Sequence, residues 1–184
     1  MNTLEKKALA EFKLLGWTAS REKQSGDAVL SMDEGDNELQ AVLQIRQLLC
    51  DQTMYFGISS GLKSYTSIFG RIAGIKQTHM WLLQNCVKRR AAEISRKEIE
   101  MVSREAIEWW QAQDNFTEVK ALSDPPPDNG QSQLKHLTAL AYLGDFSTLM
   151  DYQEIFRRGK RLNFVPMIKP EMIDRAIDIA LEKA

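Results

Sequence analysis

Residues 38–61, ELQAVLQIRQLLCDQTMYFGISSG, constrain the fold more than any other stretch of the chain. Leu39, Ala41, Leu43, Ile45 and Leu49 fall on one side. Gln40, Val42, Gln44, Arg46 and Leu48 fall on the other. A period of two is what a half-buried strand requires. The same residues also fit a helical face through Leu39, Val42, Leu43, Arg46 and Leu49. The second half favours the strand. Met54, Phe56 and Ile58 alternate there with Thr53, Tyr55 and Gly57, and aromatic and β-branched residues suit a pleated surface. Cys50-Asp51-Gln52 is short enough to join two antiparallel strands.

Stretches with helical spacing flank this hairpin. Over residues 3–15, Leu4, Ala8, Phe12 and Leu15 form one stripe, widened by Leu9. Asn2, with Glu5 three positions on, is a cap for its start. Gly16 is placed to end it in the left-handed conformation, with Trp17 folding back. Residues 28–32 read as a short strand, and residues 33–37 as a turn whose spacing does not match a calcium loop. Residues 67–74 read as a further strand bent at glycine. Residues 78–83 fit strand and helix alike. Ser95-x-x-Glu98 is a capping box. It opens a helix carrying Ile99, Val102, Ala106 and Trp109, with Trp110 beside them, that closes near Asp114.

Residues 123–133, SDPPPDNGQSQ, form the clearest linker, because three prolines fix extended backbone. The expected division is an α+β domain over 1–122, a linker over 123–133 and a helical subdomain over 134–184 packed on the first. In that last part, Leu134, Leu137, Leu140 and Ala141 share one helical face. Gly144 stops the helix and Asp145 caps the next, which carries Phe146, Leu149, Tyr152, Ile155 and Phe156. The two make a helical hairpin with no second copy to build a solenoid. Pro170 suits a first helical position, and Met172, Ile173, Ala176, Ile177 and Ala180 form a terminal stripe. The expected fold class is α+β: an antiparallel sheet flanked by helices, with a C-terminal helical subdomain.

Composition removes several function classes. With 24 basic and 25 acidic residues, the chain has no global electrostatic reason to bind nucleic acid. No apolar run approaches a membrane span, and the first residues lack the apolar core of a signal peptide. The expectation is a cytoplasmic protein with no membrane insertion. Cys50 and Cys86 form no CxxC and read as small buried hydrophobes in a reducing compartment. There is no P-loop, no G-x-G-x-x-G after a strand and no His-x-x-x-His pair, so no cofactor or metal is expected.

Gly57-Ile58-Ser59-Ser60-Gly61 matches G-x-S-x-G, the nucleophile elbow of serine hydrolases. Ser59, an acid such as Glu105 or Asp128, and His136 would satisfy the order of a triad. The elbow requires a strand, a strained turn and a helix, normally after several parallel βαβ units, and upstream there is one helix and hairpin-like strands. His79, beside Met80 and Trp81, reads as structural. Arg157-Arg158-Gly159-Lys160-Arg161 is the densest basic cluster. It complements a helix C-terminus whatever the function, or meets a partner's acidic surface, together with Lys88-Arg89-Arg90 if the two runs adjoin. Adjacent helical residues differ by about 100°, so Trp109 and Trp110 cannot both face one core. Trp110 is therefore a partner-binding candidate, with Arg157, Arg158 and the outward positions Val42, Leu48 and Tyr55.

The helix to Leu15, the segment AVLSMDEG and the pair ELQAVLQIRQL/TMYFGISS run in the order helix, short strand, acidic turn, long strand, strand. Over the first 62 residues this layout resembles the start of bacterial type III secretion chaperones. The resemblance implies a small cytoplasmic α+β dimer that binds extended segments of other proteins on apolar patches. The expected function is a non-enzymatic protein-binding module, chaperone-like or regulatory, whose partner is another protein or a second copy of the chain. The alternative is a small serine hydrolase using Ser59.

Overall fold

The alternation of residues 38–61 forms two neighbouring strands at the heart of a five-stranded antiparallel sheet. The structure, a computed structural model, describes residues 3–21, 26–76, 79–125 and 129–183. Their order is α1 (Thr3–Leu14), β1 (Thr18–Arg21), β2 (Ala28–Glu34), β3 (Asn37–Gln47), β4 (Gln52–Leu62) and α2 (Lys63–Ala73). Then follow β5 (Leu83–Ala91), α3 (Arg96–Gln111), α4 (Asn115–Leu122), α5 (Gly130–Leu143), α6 (Phe146–Arg157) and α7 (Pro170–Leu181). This is the α+β class expected. The chain divides into two units: Met1–Gly61 with Trp81–Gln113, and Leu62–Met80 with Asp114–Ala184.

The first unit holds the sheet, in the order β1-β2-β3-β4-β5. Its register pairs Leu30 with Ala41 and Phe56 with Val87. Because side chains alternate across a strand, Leu30, Leu39, Ala41, Leu43, Ile45, Met54, Phe56 and Ile58 all point to one face. There they meet Ala8 and Phe12 of α1 and Ile99, Val102, Ala106 and Trp110 of α3. The Phe12 ring stacks on Phe56 at 4.9 Å, and Trp17 stands edge-on to both. The Trp17 indole N–H donates to the buried Ser103 hydroxyl at 2.8 Å, so its polar atom is satisfied inside the core.

Local signals set the helix ends. Gly16 takes φ 92°, and the Trp17 N–H donates back to the Phe12 carbonyl at 3.1 Å. Ser95 and Glu98 form the capping box that opens α3. Asn2, read as the cap of α1, lies outside the described residues.

The second unit is a helical bundle in which α5 packs against α2, α4, α6 and α7. Ile68 and Ile72 of α2 join Leu137, Leu140, Leu149, Ile173, Ile177 and Phe164 in one core. Residues 67–74 are thus helix, not the strand expected from their β-branched content. Tyr65, Ile68, Phe69 and Ile72 are buried at helical spacing, and that periodicity outweighs propensity. Gly74 is the left-handed cap at φ 70°, and Gly70 lies within the helix. Residues 79–82 carry no regular structure and lead into β5.

The division of the chain does not follow the proline-rich segment. Helices α2 and α4 group with the C-terminal helices, because Ile68, Ile72 and Val119 are buried among helices. Asp114 starts α4 by accepting from the Phe116 and Thr117 N–H groups. Asn129 starts α5 at Gly130, four residues before the first residue of the apolar stripe, by accepting from Ser132 N–H.

Candidate functional site

The sheet's second face follows from the same alternation. It carries Gln40, Val42, Gln44 and Arg46 on β3 and Tyr55, Gly57 and Ser59 on β4. On β5 it carries Cys86, Lys88 and Arg90. The register sets Tyr55 opposite Lys88, Gly57 opposite Cys86, and Val42 opposite Val29 of β2. α1 and α3 occupy the other face. Val42 is 38% exposed, Arg46, Cys86, Lys88 and Arg90 are exposed, and Tyr55 is half-buried.

Beyond the strands lies the turn at residues 48–51, closed by the Leu48 N–H donating to the Asp51 carbonyl at 2.7 Å. Gln52 reinforces it by donating to Gln47 at 3.0 Å. Leu48 is 44% exposed and Leu49 is fully exposed. Sequence alternation assigned Leu49 to the core side. The turn ends the strand at Gln47 and sends that side chain into solvent.

The charges on this face are sorted by end. Arg46 Cζ lies 5.5 Å and Lys88 Nζ 5.0 Å from the centre of the Tyr55 ring. Neither cation has a carboxylate partner among the described residues. Arg90 pairs with Asp51 at 2.6 Å. Arg89, one residue out of phase, points to the helical side and pairs with Glu105. Asp33, Glu34, Asp36 and Glu38 lie at the opposite end of the same sheet, around the β2–β3 turn.

Ser59 does not stand on the turn that a nucleophile elbow requires. Ser59 sits within β4, opposite Gln84 of β5, and the strand continues to Leu62. Its hydroxyl donates to the Gln40 carbonyl at 3.5 Å. An elbow needs its serine on a sharp strand-to-helix turn after a parallel strand. Here the serine is a ladder residue of an antiparallel sheet. Glu105 is committed to Arg89, and Asp128 lies outside the described residues.

His136 belongs to the helical unit. It is almost fully buried on α5. Its Nδ1 lies 3.0 Å from the Leu122 carbonyl and its Nε2 3.0 Å from the Tyr152 hydroxyl. The carbonyl can only accept, so Nδ1 carries the proton and Tyr152 donates to Nε2. Burial pushes the His136 pKa down, against the upward pull of the Leu122 and Asp124 hydrogen bonds. This neutral imidazole ties the end of α4 to α6.

The remaining expectations divide. Trp110 is only 7% exposed and lies in the sheet-side core, so it is no docking residue. Trp109 is the half-buried member of the pair, because the stripe through Val102 and Ala106 turns Trp110 inward. Arg157 and Arg158 are exposed at the end of α6, with Arg158 paired to Glu154 at 2.8 Å. Arg161 donates to the carbonyls of Phe164, Val165 and Ile168 and lies over Phe156. Of that basic cluster, Arg161 thus holds the connector before α7. The cluster lies in the helical unit, whereas Lys88-Arg89-Arg90 lies in the sheet unit. Both cysteines are free and exposed, not buried, since Cys50 falls in the turn and Cys86 on the outward side of β5.

A cleft of about 190 Å³ lies on the helical side of the sheet unit, lined by Leu4, Lys7, Glu11, Ile45, Gln52 and Arg96 among others. It is smaller than the ~300–1,000 Å³ of typical small-molecule sites, and Arg96 approaches Glu11 across it at 3.6 Å. Among the described residues, no cluster of three His, Cys, Asp or Glu side chains is placed to hold a metal ion. No described helix is long and apolar enough to cross a membrane.

Fold and site define an α+β protein whose sheet is covered by helices on one face and carries an accessible patch of apolar, aromatic and cationic side chains on the other. The chain belongs to a family of unknown function, DUF6990, matched over residues 4–181. No curated protein and no solved structure matches it.

Proposed function

We propose that the protein is a non-enzymatic protein-binding module that uses the outward face of its sheet. The observation that carries this reading is the exposure of Val42, Leu48 and Leu49 beside Tyr55 and Arg46. Singly exposed apolar side chains are ordinary on a folded surface; here they occur on the same face and adjoining turn as an aromatic ring approached by two cations. Aromatic, apolar and Arg side chains grouped on one accessible surface are the composition of an interface centre. The layout shared with type III secretion chaperones supports the same reading, as a chaperone-like or regulatory protein. The buried, engaged state of His136 and the ladder position of Ser59 favour this reading over a hydrolase.

The test is affinity capture from native cytosol, with the mass of the complex measured intact. A stoichiometric protein partner is expected with the wild-type chain. It should be lost in Val42→Asp/Leu48→Asp, whose melting temperature should stay within a few degrees because both positions are exposed. Capture that is absent, or unchanged in the variant, would overturn the reading. A complex of two copies would identify the partner as the chain itself.

A further inference from the structure

We infer that the cationic corner of the outward face, built by Arg46 and Lys88 around Tyr55, docks an acidic segment of a partner protein. The inference rests on the protein-binding reading above and specifies its partner's chemistry.

The register brings these residues together. β4 lies between β3 and β5, so Arg46 and Lys88 reach the Tyr55 ring from opposite neighbouring strands, at 5.5 and 5.0 Å. The two cations have no carboxylate partner among the described residues, whereas their neighbours Arg89 and Arg90 do. The corner therefore holds uncompensated positive charge in a chain whose formal net charge is −1. Leu48 and Leu49 project from the adjoining turn. A segment that alternates acidic and apolar residues matches both features: its carboxylates meet Arg46 and Lys88, and its apolar side chains cover the leucines. Such complementarity sets partner choice and on-rate more than raw affinity.

Two other occupants fit less well. A single-stranded nucleic acid would need a free aromatic face for stacking, and the Tyr55 ring already has a cation from each side. A second copy offers the acidic turn at residues 33–38, but Asp33, Asp36 and Glu38 already have partners within the chain, Glu38 accepting from Gln40 at 3.1 Å.

Cys86 supplies the reporter, since it is exposed on the same face two residues from Lys88. In a Cys50→Ser background, Cys86 carries an environment-sensitive dye. The full chain is titrated with a short peptide alternating Glu and Leu, one alternating Lys and Leu, and oligouridine. The Glu-Leu peptide should bind, weaken as salt rises, and lose at least about tenfold in affinity in Arg46→Glu/Lys88→Glu. The neutral variant Arg46→Gln/Lys88→Gln should fall between. Equal binding of both peptides, preference for oligouridine, or no effect of charge reversal overturns the inference. So does a concentration-dependent dimer broken by the same reversal, which makes the second copy the occupant. In the capture assay, a partner lost with Val42→Asp/Leu48→Asp but kept with Arg46→Glu/Lys88→Glu leaves the docking face standing and refutes only its acidic specificity. A partner kept with both variants refutes both.

Discussion

Phe12→Ala should be among the most damaging single substitutions in the sheet unit. Phe12 is fully buried, stacks on Phe56 at 4.9 Å with nearly parallel planes, and meets the Trp17 edge at 5.9 Å. Truncating a buried Phe to Ala costs ~3–5 kcal/mol. Two aromatic contacts worth ~0.5–1.5 kcal/mol each beyond their area place this case in the upper part of that range. With a urea slope of ~1–1.5 kcal/mol/M for a small unit, the midpoint should fall by ~3 M. Tryptophan fluorescence reads this unit selectively, since Trp17, Trp81, Trp109 and Trp110 all lie in it. Phe12→Leu, which keeps most of the volume but not the ring contacts, should lose only ~1–2 kcal/mol. A midpoint shift below ~0.5 M for the alanine variant would refute the placement of α1 on the sheet.

The helical unit should lose stability as pH falls below about 6.5, the ordinary histidine value, because burial holds the folded-state pKa of His136 lower and the unfolded chain takes up the proton first. Stability from this group is complete above that pH. In His136→Gln, circular dichroism melts between pH 7 and 5 should show a flatter decline, and an unchanged slope would contradict the assignment. The wild-type protein should not be labelled by a fluorophosphonate probe; labelling that disappears in Ser59→Ala would restore the hydrolase. Both Cys50 and Cys86 should react with a thiol reagent in the folded protein at rates near those of the unfolded chain, whereas slow reaction of Cys86 would place it under cover.

The parts of the fold that the sequence made legible are those where one signal outweighs its competitors. The period of two in residues 38–61 defined β3 and β4, Gly16 and the Ser95/Glu98 box set two helix ends, and Pro170 marked the start of α7. More evenly matched signals were misread. Residues 67–74 are rich in β-branched and aromatic side chains, yet Tyr65, Ile68, Phe69 and Ile72 share a helical face. The unit boundary was hidden for another reason. Prolines mark where the backbone is extended, but membership of a core is a long-range property, and α2 joins helices far along the chain.

The outward placement of the candidate residues was legible in the same measure. Val42, Leu48 and Tyr55 followed from alternation, and all three are exposed or half-buried. Trp110 was misplaced because two adjacent tryptophans offer no internal way to decide which faces inward. The approach of Arg46 and Lys88 to Tyr55 depends on the register of three strands, which no local pattern encodes. A cation at every second position of a strand, as at Lys88 and Arg90, was the one signal available.

Hydrogen–deuterium exchange on the complex with a captured protein partner tests the central claim most directly. Protection is expected in peptides spanning residues 40–58 and 84–90, with α5, α6 and α7 unchanged. Protection confined to the helical unit, with β3, β4 and β5 exchanging as in the free protein, would contradict the account.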